Sequence, residues 1–157
     1  MRDATRPRLV YVMAHNELVE ARLTYSVIGA FFEVYNHMGF GFFESVYASA
    51  LEIELKARGH RVAREVAVEV IYKGHVVGLH RIDMIVDEKL VVESKASLDL
   101  PRAAGRQVRS YLHATFLTLA LLLHFGPSPR FFRFLGRDTT KDPINPQFPD
   151  NQNRSCS

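Results

Sequence analysis

The chain contains one cysteine, Cys156, in 157 residues. That excludes an intrachain disulfide and a cysteine-based metal site, and gives no sign of an oxidising compartment. Long apolar runs are also missing: none reaches the roughly 18 residues that cross a bilayer. The apolar stretch Leu9–Met13, behind the charged segment Met1–Arg8, is too short for a signal core, so a cytoplasmic protein with no membrane partner is expected. The seven histidines (His15, His37, His60, His75, His80, His113 and His124) show no metal-ligand spacing, and none is assigned a role. Charge lacks a strong bias. Twenty basic against 17 acidic residues leave +3, which is compatible with a nucleic-acid partner without demanding one. With 47% apolar and 24% charged residues, the chain suits one ordinary globular domain with a sizeable core.

Residues 1–15 read as an N-terminal arm, 16–136 as the folded domain and 137–157 as a disordered tail rich in Asp, Asn, Pro, Gln and Ser. A first helix is predicted from about Asn16. Val27, Ile28, Phe31, Val34, Tyr35 and Met38 recur at three- and four-residue spacing, and Gly39 stops the run. A second helix runs from about Phe43 to Arg58 and is closed by Gly59. On it Glu44 falls in line with Tyr47, Ala48, Leu51 and Leu55, on or beside the buried face. Either this carboxylate faces the positive end of the helix, or it belongs to a site.

Strands follow. Val62, Val66, Val68 and Val70 alternate with Ala63, Glu65, Ala67 and Glu69, Lys73-Gly74 makes a hairpin turn, and Val76–Val86 returns. Asp87-Glu88 turns again before a third strand, Leu90–Lys95. Register is decisive here. A three-residue loop centred on Glu88 sets Asp83 opposite Glu93 with Cβ atoms about 5 Å apart. A two-residue loop would set Asp83 opposite Val92 and send Glu93 to the other face. Lys95 shares the face of Glu93 in either case.

Asp99 is expected to cap a third helix with Pro101 in its first turn, running to about His113. Arg102, Arg106, Arg109 and His113 form one stripe on it and Ala104, Val108, Tyr111 and Leu112 the opposite one, with Gln107 at the border. Phe116–Leu123 reads as a central strand buried on both faces, and Arg130–Leu135 as an edge strand. The order is α, α, β, β, β, α, β, β: an α/β domain in which an antiparallel meander joins a further strand through a crossover helix.

Two carboxylates and a lysine inside apolar strands require a reason, because a buried charge is costly unless paired or bound to a metal. Asp83 and Glu93 side by side repel unless protonated or bridged by a cation. A hard divalent ion, Mg²⁺ or Mn²⁺, suits two carboxylates plus the Ser94 carbonyl, with Glu44 as a further ligand. Lys95 could orient or deprotonate an attacking water, or offset charge in a phosphoryl transition state. Arg81 and the stripe Arg102, Arg106 and Arg109 would meet phosphates. Cross-strand ion pairs and a solvated helix face are the plainer explanations of the same residues.

The segment Gly41-Phe42-Phe43-Glu44-Ser45-Val46-Tyr47 resembles the signature of the GxxExxY protein family. The similarity extends through Tyr72-Lys73-Gly74 and Arg81-Ile82-Asp83 to Leu122-Leu123-His124-Phe125-Gly126, about residues 20–135. That family is placed in the PD-(D/E)xK nuclease superfamily. The resemblance implies a restriction-endonuclease-like core and a Mg²⁺- or Mn²⁺-dependent nuclease, with DNA as its partner. Asp83 and Glu93-Ser94-Lys95 would then be the superfamily motif, and Glu44 the additional acid of the first core helix. Gln107 and Tyr111 resemble the Gln-x-x-x-Tyr motif of RecB-like members, which implies contact with the substrate strand. Ile82 stands where the motif has proline, and Ser94 where it usually has an apolar residue. Small size implies low sequence specificity or reliance on a partner or a homodimer. The alternative is a nuclease-fold protein that binds nucleic acid or a protein partner without cutting.

Overall fold

The structure is a computed structural model that describes residues 7–136. Helices α1 (Pro7–Met38) and α2 (Glu44–Ala57) precede strands β1 (Val62–Tyr72), β2 (His75–Val86) and β3 (Leu90–Lys95). Helix α3 (Ala104–Thr115) then leads to β4 (Leu119–Phe125) and β5 (Pro129–Leu135). The element order agrees with the sequence expectation, and three boundaries move. Helix α1 reaches back to Pro7, through most of the segment expected to be an arm. Proline is well tolerated in a first helical turn, and the consecutive apolar residues Leu9–Met13 hide the three- and four-residue spacing that reveals a helix. The first six residues of that arm and the expected tail at 137–157 lie outside the described residues.

Asp99 does not cap α3. Its carbonyl accepts from Ser97 Oγ at 2.6 Å, and a turn closed by the Ala104 N–H on Pro101 O at 3.0 Å comes before the helix. Arg102 therefore precedes α3 and does not lie on its arginine stripe. At the other end Phe116 closes the helix in a left-handed conformation (φ 60°) and is 79% exposed, so β4 begins only at Leu119 and continues through His124 and Phe125.

The five strands form one mixed sheet in the order β1-β2-β3-β4-β5, antiparallel except for the parallel β3–β4 pair joined through α3. β3 and β4 are buried on both faces, which is why their sequences are almost continuously apolar. On one face α1 and α2 pack Val27, Phe31, Tyr47, Leu51 and Leu55 against Met84, Val86, Leu90, Val92 and the odd-numbered residues of β4. On the other face α3 packs Val108, Tyr111 and Leu112 against Ile82, Val91, Ala120 and Leu122.

The hairpin joining β2 to β3 decides what meets what. Its three-residue loop, Asp87–Lys89, holds Asp87 (φ 51°) and Glu88 (φ 58°) in the left-handed region. The pairs that follow are Val86 with Leu90, Ile85 with Val91 and Met84 with Val92. This is the odd-numbered register that brings Asp83 toward Glu93. The loop is anchored from outside. Asp87 Oδ1 accepts the Arg61 N–H at 2.8 Å, and Oδ2 lies 2.7 Å from His60 Nδ1. The Asp87 N–H in turn donates to Arg61 O at 2.9 Å. His60 Nε2 meets Ser26 Oγ of α1 at 2.7 Å, so α1, the turn between α2 and β1, and the hairpin loop share one polar chain.

A second irregularity lies at the centre of the β1–β2 hairpin. The ladder pairs Arg64 with Met84 and Val66 with Ile82, leaving out Glu65 and Asp83 between them, and Glu65 has φ 51°. Even-numbered residues stay on the less exposed side from Val62 to Val70, yet the neighbour they meet changes. Val62, Met84 and Val86 join the core under α1 and α2, whereas Val66, Val68 and Ile82 join the core under α3. The hairpin thus changes faces at Asp83, which stands where the two layers meet.

Candidate active site

Glu44 is the first residue of α2, after Phe43 at the N-cap. It is seated by the Gly39–Phe43 loop, which Tyr47 fastens: its hydroxyl donates to Gly39 O and accepts the Phe42 N–H at 3.3 Å. The buried residues of α2 are Tyr47, Ala48, Leu51 and Leu55, the line on which Glu44 was expected. Glu44 remains exposed because it starts the helix at the rim of the sheet.

β2 supplies Asp83, and β3 supplies Glu93 and Lys95. Carboxylate oxygens of Glu44, Asp83 and Glu93 all lie within 4.8 Å of one another. Lys95 Nζ donates to Glu93 Oε1 at 2.9 Å. Glu93 is 1% exposed, and its Oε2 is buried without a hydrogen-bond partner among the described residues. Burial first, then the Asp83 charge, pushes its carboxyl up to about 7 against the pull of Lys95. Glu44 is raised as well, by desolvation and by Asp83, with Lys95 and the Ala96 N–H opposing. Burial works against charge on Lys95, but its hydrogen bond to Glu93 and the fields of Glu93, Glu44 and Asp83 prevail and raise its pKa. The cluster therefore carries more negative charge than its one lysine offsets, and an unused buried oxygen. A hard divalent cation suits that donor set.

Ser94 completes the arrangement through its backbone. Its N–H donates to Asp83 Oδ2 at 3.1 Å, just beyond the Met84–Val92 pair. In an extended strand the N–H and C=O of one residue point the same way. The Ser94 carbonyl therefore also faces the gap between β2 and β3. Its side chain alternates to the α1–α2 face, away from Glu93 and Lys95, and the residue is buried.

Tyr111 and Gln107 stand behind this group. Gln107 Nε2 donates to the Tyr111 hydroxyl at 2.6 Å, and that hydroxyl donates to Arg81 O at 3.1 Å. Tyr111 is 3% exposed, so its hydroxyl holds the β2 backbone two residues from Asp83 and presents no open surface to a strand. Arg81 is exposed and lies 3.5 Å from Glu65. Arg106 and Arg109 occupy the solvent side of α3, Arg109 with its guanidinium 5.1 Å from the Phe134 ring centre. Arg102 is exposed in the preceding turn. The structure gathers Glu44, Asp83, Glu93, Ser94 and Lys95, and does not bring these arginines onto the carboxylates.

A recess of about 170 Å³ opens beside the carboxylates, lined by Glu44, Ser45, Ala48, Arg64, Glu65 and Asp83. Arg64 was not singled out from the sequence, although a signal was present: it takes an inward slot in the alternation of β1. His124 was also passed over. It is fully buried, is paired in register with Lys95, and has Nε2 2.8 Å from Ser97 O, which leaves Nδ1 without a partner among the described residues.

An antiparallel hairpin carrying Asp83 and Glu93-Ser94-Lys95, a crossover helix and an acid from a preceding helix define a nuclease-like α/β core. The sequence profile of the PD-(D/E)XK nuclease superfamily matches residues 21–134, and the chain belongs to that superfamily. A solved structure of the protein SSO0001 is similar at a TM-score of 0.49 and 23% identity, over 62% of this chain and 52% of that one. This chain thus spans about half the length of SSO0001. No curated protein matches the chain. No helix among the described residues is long and apolar enough to cross a membrane.

Proposed function

We propose that the protein is a divalent-metal-dependent nuclease that hydrolyses phosphodiester bonds, with DNA as its substrate and Mg²⁺ or Mn²⁺ as its cofactor. The observation that carries this reading is the convergence of Glu44, Asp83 and Glu93 within 4.8 Å beside a lysine, in a chain of the PD-(D/E)XK superfamily. Asp83, Glu93 and the Ser94 carbonyl would hold the ion, with Glu44 a direct or water-mediated ligand. When bound, the ion lowers the pKa of a water and neutralises phosphate charge.

Everything else falls to the protein's own side chains. Lys95, kept protonated by its three acidic neighbours, orients the water and donates to the phosphoryl oxygens as negative charge builds on them. That role fits its raised pKa better than proton abstraction does. Glu93 fixes Lys95 at 2.9 Å. Tyr111 and Gln107 act from behind as positioning residues, through the Arg81 carbonyl. Cleavage adds the water oxygen to phosphorus and releases the leaving oxygen as a hydroxyl.

The experiment is a cleavage assay on single-stranded DNA, duplex DNA and RNA with Mg²⁺ or Mn²⁺, with wild type beside Lys95→Ala. Metal-dependent cutting that the substitution removes is the expected result. Equal cutting by both proteins would overturn the assignment, and binding without cutting under every condition would leave a nucleic-acid-binding protein.

A further inference from the structure

The recess beside Glu44 and Asp83 contains a cation that the metal site does not use. Arg64 pairs with Met84 in the β1–β2 ladder, immediately before the change of faces at Glu65. Its inward side chain is held by one arm, with Nη1 donating to Glu52 Oε2 of α2 at 2.8 Å. Nε is buried and meets no acceptor among the described residues. A guanidinium presents its donors as a fixed planar fork suited to two oxygens of a phosphate. Here one arm of the fork is spent and the inner donor is unspent. Among the described residues lining the recess, Arg64 is the only base.

Glu52 does not need Arg64 for its own charge. It also accepts from Lys56 at 2.7 Å, and Lys56 leads the causes that hold its carboxyl below the usual range. The Arg64–Glu52 contact therefore reads as a brace that aims the guanidinium, and not as the reason for a cation at this point. Three carboxylates, Glu44, Glu65 and Asp83, share the recess. An anion enters such a place only when a cation occupies the carboxylates, which makes its binding conditional on the metal.

We infer that Arg64 grips a phosphate of the nucleic-acid strand, holding it in the recess on the α2 side of the carboxylates while Lys95 acts from the α3 side. This deepens the nuclease reading and rests on it. The bound group is a backbone phosphodiester, recognised by charge and shape without regard to base. The substrate would thus be clamped between two cations borne by different strands, Arg64 on β1 and Lys95 on β3.

The test measures binding of a short DNA duplex, with Ca²⁺ in place of Mg²⁺, as a function of salt for wild type, Arg64→Met and Glu52→Gln. Arg64→Met should weaken binding by about tenfold or more and reduce the salt slope by about one contact. Glu52→Gln, which removes the carboxylate charge but keeps an oxygen that accepts from Nη1 and so keeps the brace, should stay within about twofold of wild type. In EDTA the wild type and Arg64→Met should bind alike. Unchanged affinity and slope in Arg64→Met, or an equal loss in Glu52→Gln, would overturn the inference and leave the nuclease reading standing. Wild type that binds no nucleic acid would overturn both. Duplex that is bound with the expected slope change but never cut would overturn the nuclease reading alone.

Discussion

The Ser94 N–H reaches Asp83 Oδ2 across 3.1 Å, just past the last β2–β3 pair. One hydrogen bond thus replaces the ladder where the two strands part, and turns Asp83 toward the gap that the Ser94 carbonyl also faces. Asp83→Asn keeps the shape of the side chain and removes its charge. The account predicts that this variant folds, loses Mn²⁺ binding by calorimetry, and shows at least a roughly hundredfold fall in kcat. Glu93→Ala that still binds Mn²⁺ with wild-type affinity would remove Glu93 from the ligand set.

Burial and the Asp83 charge lift Glu93 from 4.5 to about 7. The folded state therefore holds this proton more tightly than the unfolded chain does. Its contribution to stability is fully present below the unfolded value and is lost as pH rises through about 7, by at most roughly 3 kcal/mol. Thermal unfolding in EDTA should fall in midpoint between pH 5 and pH 8. Adding Mg²⁺ at pH 8 should restore it, because the ion replaces the proton. A midpoint indifferent to Mg²⁺ at pH 8 would show that the carboxylates do not share an ion.

His60 lies far from Asp83 and Glu93 in sequence, yet its contact with Asp87 at 2.7 Å holds the loop that sets the register of the site. Asp87 is partly buried, which alone would raise its pKa; the Arg61 N–H and His60 overcome that and lower it. His60→Leu should destabilise the fold by about 1–3 kcal/mol, read by urea denaturation. Metal affinity of the folded fraction should change little, because the three-residue loop remains.

Tyr111→Phe separates positioning from substrate contact. Loss of the hydroxyl removes the tie to Arg81 O and leaves Gln107 without its acceptor. A cost of about 1 kcal/mol in stability is expected, with KM unchanged and kcat modestly reduced. A large rise in KM with unchanged stability would instead place the hydroxyl on the substrate.

Much of this was legible in the residues. The line of Glu44 with Tyr47, Ala48, Leu51 and Leu55 follows from helical geometry, and two charged residues in β3 stand out against an otherwise apolar strand. The register that puts Asp83 beside Glu93 needed only a loop length, and Asp87-Glu88 are residue types that accept polar, exposed turns. Other features left weaker traces. The change of faces at Glu65 and Asp83 is invisible to alternation, because the same period-2 pattern serves whether the inward side meets α2 or α3. For that reason the alternation puts Arg64 on the inward side without showing that it lines the recess. The role of Tyr111 was hidden because its partner is a backbone carbonyl, which sequence does not display. Helix α1 was cut short because five consecutive apolar residues do not show a helical period.

The most direct test of the central claim is the initial rate of DNA cleavage as a function of Mg²⁺ concentration, for wild type and Asp83→Asn. The account predicts a rate that rises and saturates with Mg²⁺ in wild type and is at least about a hundredfold lower at every concentration in the variant. Cleavage by the variant at the wild-type rate, or wild-type cleavage that persists in EDTA, would contradict it.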